Sequence, residues 1–349
     1  MSCGLRSRLT PVLVDSLSVP ARPDGVTSDA SPDLEQYRRE LTGYCYRMLG
    51  SGFETDDAVQ ETMVRAWKNY DTFEGRSALR SWLYRIATNV CLDMLRSRQR
   101  RARPMELSGA WTPESHHGSA MPEATWITPI PDASVVPDGD PADVATARES
   151  IRLAFVAALQ HLPARQRAVL ILREVLRWQA SEVAELLDTT VASVNSALQR
   201  ARATLAECDL ESANLYTGDA EQEATVARYV EAFERYDIPK LVALLRDDVV
   251  LSMPPYPLWL RGPEDAAAWF LGQGIGCKGS RLVPTRANGS PAFGSYRTDP
   301  AGGWRPWSVQ VLELSGDRIV GQHNFLVGHV DPPDLRLIEM FGLPVHLDG

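Results

Sequence analysis

The chain has 349 residues, 44% of them hydrophobic, and a formal net charge of −9. That length can bury more than one core, which sets an expectation of two to three domains. The net acidity excludes a protein coated throughout with nucleic-acid-binding charge, so any basic surface must be local.

The five cysteines, Cys3, Cys45, Cys91, Cys208 and Cys277, are scattered, with no C-x-x-C and no Cys/His pair at zinc spacing. Neither a disulfide framework nor a metal site is expected, and a reducing cytoplasm fits best. No apolar run approaches spanning length, and "LTPVLVDSLSVPA" is broken by Pro11, Asp15 and Ser16, so no membrane contact is expected. Residues 1–30, rich in Pro, Ser and Asp, read as a flexible tail. Residues 104–143 are dense in Pro, Gly, Ser and Asp without a sustained period, as in a linker. A shorter break at "CDLESANLYTGDAEQE" leaves three blocks: 31–103, 144–210 and 217–349.

In the first block, Leu34, Tyr37, Leu41, Tyr44, Cys45 and Met48 recur at helical spacing until "GSG". Val59, Met63, Ala66 and Trp67 mark a second helix, with Asp56 and Asp57 expected in its first turn, where carboxylates suit the macrodipole. Leu79, Trp82, Leu83, Ile86, Val90 and Met94 mark a third, after the loop "NYDTFEGRS". The result is a small helical bundle. Its charge is sorted: from Arg76 to Arg103 there are eight arginines against one acid, Asp93. Such a stretch suits phosphates. Trp67 and Trp82 lie on the apolar stripe and are expected in the core, whereas Tyr70 and Phe73 lie in the loop, where they suit stacking on an exposed base.

In the second block, Ala180, Val183, Ala184 and Leu187 form the inner face of a short helix, "DTT" a tight turn, and Val191, Val194, Leu198, Ala201 and Leu205 the inner face of the next. This is helix-turn-helix patterning. Thr189 or Thr190 is the expected cap of the second helix. Its outward residues Ser193, Asn195, Ser196, Gln199, Arg200 and Arg202 are of the kinds that reach base edges and phosphates.

The segments "DDAVQETMVRAW", "FEGRSALRSWLYRIATNVCLDMLRSR" and "LPARQRAVLILREV", in this order, resemble a bacterial sigma-70 initiation factor of the extracytoplasmic-function group. The resemblance covers residues 33–103 and 145–208. It implies that core RNA polymerase and promoter DNA are the partners. The first segment would dock on the clamp helices of the large subunits through Asp56, Asp57, Gln60 and Glu61, and the flap would be a further contact. The loop with Tyr70 and Phe73 would capture an unstacked base of the −10 element. The helix carrying Arg76, Arg80, Arg85, Arg96 and Arg98 would hold the backbone of the opening strand. The helix-turn-helix would read the −35 element, and the location implied is the cytoplasm, at the nucleoid. Asp188 departs from the pattern, because the turn more often carries Gly.

The third block reads as two helices, a strand, a loop opening another helix and, around "SGDR", two further strands. That is an α+β domain, giving a multidomain chain of two all-α blocks and one α+β block. Its order, with "MPPYPLWLRG", resembles the SnoaL-like (NTF2-like) cone found behind this type of sigma factor. Asp247, Asp248, Tyr256, Arg261, His323 and His329 are titratable groups suited to a pocket, but they form no specific catalytic signature. The favoured reading is a regulatory module, not an enzyme, without cofactor, in which Trp259, Arg261 and Gly262 form an edge that packs on the sigma blocks. A small-molecule ligand of the module stays open. The alternative is a DNA-binding, ligand-responsive regulator, or a SnoaL-like enzyme fused to a DNA-binding module.

Overall fold

The computed structural model describes residues 33–73, 78–96, 100–116, 118–208 and 216–349, so the expected tail lies outside the described residues. After a 3-10 turn at Leu34–Tyr37 comes α1 (Arg38–Leu49). It stops at Gly50, whose φ of 69° is left-handed and whose N–H donates to the Tyr46 carbonyl. Ser51 then caps α2 (Gly52–Asn69), its hydroxyl accepting from the Glu54 N–H at 3.4 Å. "GSG" therefore ends one helix and starts the next. Because α2 begins at Gly52, Asp56 and Asp57 lie in its second turn, and Glu54 takes the first-turn position expected of them.

The inner face of α2 is Thr55, Ala58, Val59, Thr62 and Ala66. Trp67 stands about 100° round the helix from Ala66 and is 73% exposed, contrary to its expected place in the core. Trp82, on α3 (Leu79–Leu95), does pack against the core, half-buried.

The stretch read as a linker is a fitted strap for much of its length. Just before it, Arg101 is buried, paired with Glu54 and donating to the Trp126 carbonyl of the strap at 2.6 Å. Trp126, Ile127, Ile130 and Val135 are buried, and Thr128 accepts from the Gly52 N–H at 2.9 Å. Short α4 (Asp132–Val135) closes the strap. The helices that follow are α5 (Pro141–Ile151), α6 (Leu153–Gln160), α7 (Ala164–Leu170), which runs on as a π turn, then α8 (Ala180–Leu186) and α9 (Val191–Ala206). Asp188 takes the left-handed turn position, φ 49°, and Thr190 caps α9, accepting from the Ser193 N–H at 3.2 Å. Val194, Leu198 and Ala201 are buried, but Val191, the first helical residue, is 43% exposed rather than inward.

The last block contains α10 (Ala220–Arg235), α11 (Ile238–Val242), β1 (Leu245–Ser252), β2 (Trp259–Arg261), α12 (Pro263–Leu271), β3 (Arg281–Ala287), β4 (Ser290–Thr298), β5 (Trp304–Ser315), β6 (Arg318–Leu326) and α13 (Arg336–Met340). The six strands are ordered β2-β1-β6-β5-β4-β3, antiparallel except for the β1–β6 pair. One sheet face closes on α10 and α12 through Tyr229, Phe233, Phe270, Phe293 and Leu312. The other contributes Ala292, Val309, Val311 and Phe325 to a cluster with Tyr46, Ile127, Ile130, Ile151 and Val156. Both faces are buried, so β4, β5 and β6 have long runs of buried residues rather than the in-out alternation of a sheet with one wet face.

The β3–β4 turn, Asn288–Gly289, has left-handed φ at both residues (54° and 73°), as a two-residue hairpin requires. Its tip is buried at the meeting point of three segments. The Asn288 amide donates to the Tyr46 hydroxyl of α1 and to the Ile151 carbonyl of α5, each at 2.6 Å, and accepts from the Ile130 N–H of the strap at 3.1 Å. Gly289 N–H donates to Asp132 at 2.8 Å, and a Cβ on Gly289 would meet the Arg148 carbonyl oxygen at 2.9 Å. Asn288→Gly keeps the turn but deletes the side-chain bonds, leaving buried backbone groups unpaired. We expect a loss of about 2–5 kcal/mol, read from denaturant unfolding; a loss under about 1 kcal/mol would show that the tip is not a structural hub.

Candidate functional site

Three surfaces collect the residues singled out from sequence. On α2, Asp56, Asp57, Gln60 and Glu61 are all exposed. Gln60 donates to Asp56 at 3.1 Å, and Glu61 pairs with Arg65 at 2.6 Å. Asp57 therefore presents its charge outward beside the i, i+4 pair. Val64 and Trp67 add an exposed apolar patch three residues apart on the same helix. Beside Asp56 and Asp57 a groove of about 720 Å³ runs to Glu339 and Met340 of α13. The helices touch there: a Cβ on Gly52 would lie 2.8 Å from the Met340 sulfur.

The second surface is built on α3. Tyr70, Phe73 and Trp82 form one aromatic cluster, with ring centroids 5.1–6.5 Å apart. Arg76 and Arg98 lie outside the described residues. Arg96 is exposed and lies 3.3 Å from Asp93. Arg80 and Arg85 are engaged: Arg80 pairs with Glu40 at 2.7 Å and lies over the rings of Tyr84 and Trp178. Arg85 donates to the Glu185 carbonyl of α8 at 3.2 Å and sits 3.7 Å from its carboxylate. Tyr84 and Trp178 pack at 5.1 Å, and one apolar cluster runs from α1, α2 and α3 into α7, α8 and α9.

The third surface is the outer face of α9, where Ser193, Asn195, Ser196, Gln199 and Arg200 are exposed. Arg202 is held by Glu174 at 2.5 Å.

In the α+β block, Trp259 is only 4% exposed and its indole N–H donates to the Ser108 carbonyl at 2.9 Å. The Trp111 N–H returns a bond to the Trp259 carbonyl, also at 2.9 Å. This edge strand thus pairs with the strap. Arg261 is exposed over the Trp259 ring, and Gly262, at φ 90°, turns the chain into α12. The titratable residues do not converge. Asp248 pairs with Arg246 at the exposed start of β1, and Asp247 is exposed beside it. His329 places Nδ1 3.0 Å from the Leu326 carbonyl, with its ring edge-on to Tyr256.

His323 is buried between Ser252, at 2.8 Å, and Glu313, at 3.2 Å. A Ser–His–Glu chain has the composition of a nucleophilic relay, but the space beside it is about 10 Å³, less than a substrate needs. It lies instead on the sheet face that meets the sigma blocks. Burial alone would raise the Glu313 carboxyl; the His323 hydrogen bond, with the charges of His323, Arg103 and Arg152, outweighs this and holds it down at about 2. Sequence reasoning missed Asn288, Trp178, Arg336 and the exposure of Trp67. Only Asn288 carried a local signal, its Asn-Gly pair between strand-like runs.

Comparisons with known proteins give the class. Residues 34–101 match Sigma-70 region 2, residues 152–205 Sigma-70 region 4, and residues 226–322 a SnoaL-like domain. The chain is 42% identical over 321 residues to the ECF RNA polymerase sigma factor SigG of Mycobacterium tuberculosis, covering 90% of this chain and 84% of that protein. It is 29% identical over 247 residues to SigJ of the same organism, covering 69% of this chain and 72% of SigJ. The crystal structure of SigJ shares the fold, with a TM-score of 0.55 at 20% identity over 90% of this chain and 99% of that one. The protein is thus of the sigma-70 type with an appended SnoaL-like domain. It belongs to the extracytoplasmic-function (ECF) RNA polymerase sigma factors.

The Glu313 contact has a pH signature. A folded-state carboxyl below its ordinary 4.5 contributes stability that is complete above about pH 4.5 and is lost as pH falls toward about 2. The contribution is on the order of 3 kcal/mol. Glu313→Gln should flatten the acid limb of the unfolding curve in that window; an unchanged limb in a folded variant would remove Glu313 from the account.

Proposed function

We propose that the chain docks on core RNA polymerase through Asp56, Asp57, Gln60 and Glu61, with Trp67 as an added apolar anchor. Tyr70 and Phe73 take an unstacked −10 base, and Arg76, Arg80, Arg85, Arg96 and Arg98 hold the opening strand. Ser193, Asn195, Ser196, Gln199, Arg200 and Arg202 read the −35 element. The C-terminal domain acts in cis on this reading as a clasp rather than an enzyme, gripping the sigma blocks through the Asn288 tip and the strap between them through the Trp259 edge.

One observation carries the regulatory part: the two promoter-reading blocks share an apolar core, and Arg80 and Arg85 of one are engaged at Trp178 and Glu185 of the other. Promoter elements some 25 base pairs apart lie roughly 80 Å apart along the duplex. Blocks in contact cannot span that distance, so this conformation is a closed state and must open to work. The C-terminal domain bonds to α1, the strap and α5 at once, and because opening breaks those hydrogen bonds, they favour the closed arrangement.

Full-length protein should therefore bind core polymerase at least about tenfold more weakly than Asn288→Gly, Trp259→Ala or a chain ending at residue 213. Equal affinities among folded variants would end the clasp reading. Reversing Asp57 and Glu61 to Arg should lower core affinity in the opened variants by charge reversal at the partner surface. In the presence of core, Arg200→Ala should cost about 1–3 kcal/mol in promoter binding, with a changed preference at one −35 position; wild-type binding to every promoter variant would remove Arg200 from the reading helix.

A further inference from the structure

A cavity of about 260 Å³ lies where the start of α2, the strap and the C-terminal domain meet, lined by Phe53, Trp126, Pro255, Phe325, His329 and Arg336 among others. The interior of the cone itself is filled: the space among Phe233, Trp269, Gln310, Gln322 and Asn324 is about 10 Å³. Small-molecule sites run from roughly 300 Å³ upward, so the junction is close to ligand size and the cone is far below it.

We propose that this junction is a binding site for a small, neutral, flat aromatic molecule carrying a hydroxyl group. The shape and apolarity follow from the walls of Phe53, Trp126, Pro254, Pro255 and Phe325. The hydroxyl follows from one polar atom. When neutral, His329 donates from one ring nitrogen to the Leu326 carbonyl at 3.0 Å and keeps the other as an acceptor for a ligand O–H. The preference for a neutral ligand follows from charge. The Arg336 guanidinium is already shared between Glu123, at 2.8 Å, and Asp334, at 2.6 Å, and lies over the Phe53 ring. One cation against two carboxylates repels an anion.

The site also has a direction, which rests on the closed state proposed above. Its walls come from three segments that part on opening, so a ligand fits the closed form only and must stabilise it, weakening core binding.

The test uses full-length protein with 2-naphthol as probe, binding being followed by titration calorimetry. Saturable binding below about 1 mM is expected, at least about tenfold tighter than for 2-naphthoate. Met121→Trp, which fills the cavity from its half-buried rim, should abolish it, whereas Asn324→Leu in the cone should not. No saturable binding, tighter binding of 2-naphthoate, or loss on Asn324→Leu but not on Met121→Trp each overturns the site. Core affinity is measured separately: bound 2-naphthol that leaves it unchanged overturns the coupling, and the clasp itself still stands or falls by the Asn288→Gly comparison.

Discussion

The structure depends on one buried side-chain amide. Asn288 sits at a hairpin tip where its backbone must be left-handed, and its side chain is the common partner of α1, the strap and α5. Each of these segments has a backbone or hydroxyl group pointing into an apolar cluster, where an unpaired polar atom is costly. The amide satisfies them together. It therefore adds a tie between the first helical block and the second through a residue that belongs to neither.

Around that point the C-terminal sheet is used on both faces. One closes its own cone, leaving almost no interior space, and the other forms a joint core with the sigma blocks. A face committed to a partner in the same chain needs apolar residues where a free domain would be polar. It tolerates a buried charge only when opposing charges accompany it, as His323, Arg103 and Arg152 do for Glu313.

Much of this was legible in the sequence. The three helices of the first block, α8 and α9 with a threonine cap, and α10, α11, β1, α12, β5 and β6 of the last block follow from apolar period, capping residues and turn chemistry, each a local signal, whereas α5 to α7, β2 to β4 and α13 were not read. Trp67 was misplaced because a helical stripe is wide, and one residue, about 100° of rotation, separates its inner edge from solvent. The strap was read as a linker because it packs by single residues, Trp126, Ile130 and Val135, spaced too irregularly for any period. The three candidate surfaces were legible as sets of residue types. Their mutual arrangement was not, since Arg85 meeting Glu185 and Arg80 meeting Trp178 are contacts between distant parts of the chain.

Those two arginines place a carboxylate and an indole where the strand backbone is proposed to lie. The Arg85 guanidinium, which donates to the Glu185 carbonyl and has the carboxylate 3.7 Å away, is also a group that would bind a phosphate. On the proposed closed state, region 4 would occupy arginines that are proposed to hold nucleic acid. Closed protein and open complex then compete for one set of cations, and ionic strength weakens both arms of that competition together. The balance between them is set by the contacts that are not ionic, at Asn288 and in the shared apolar cores.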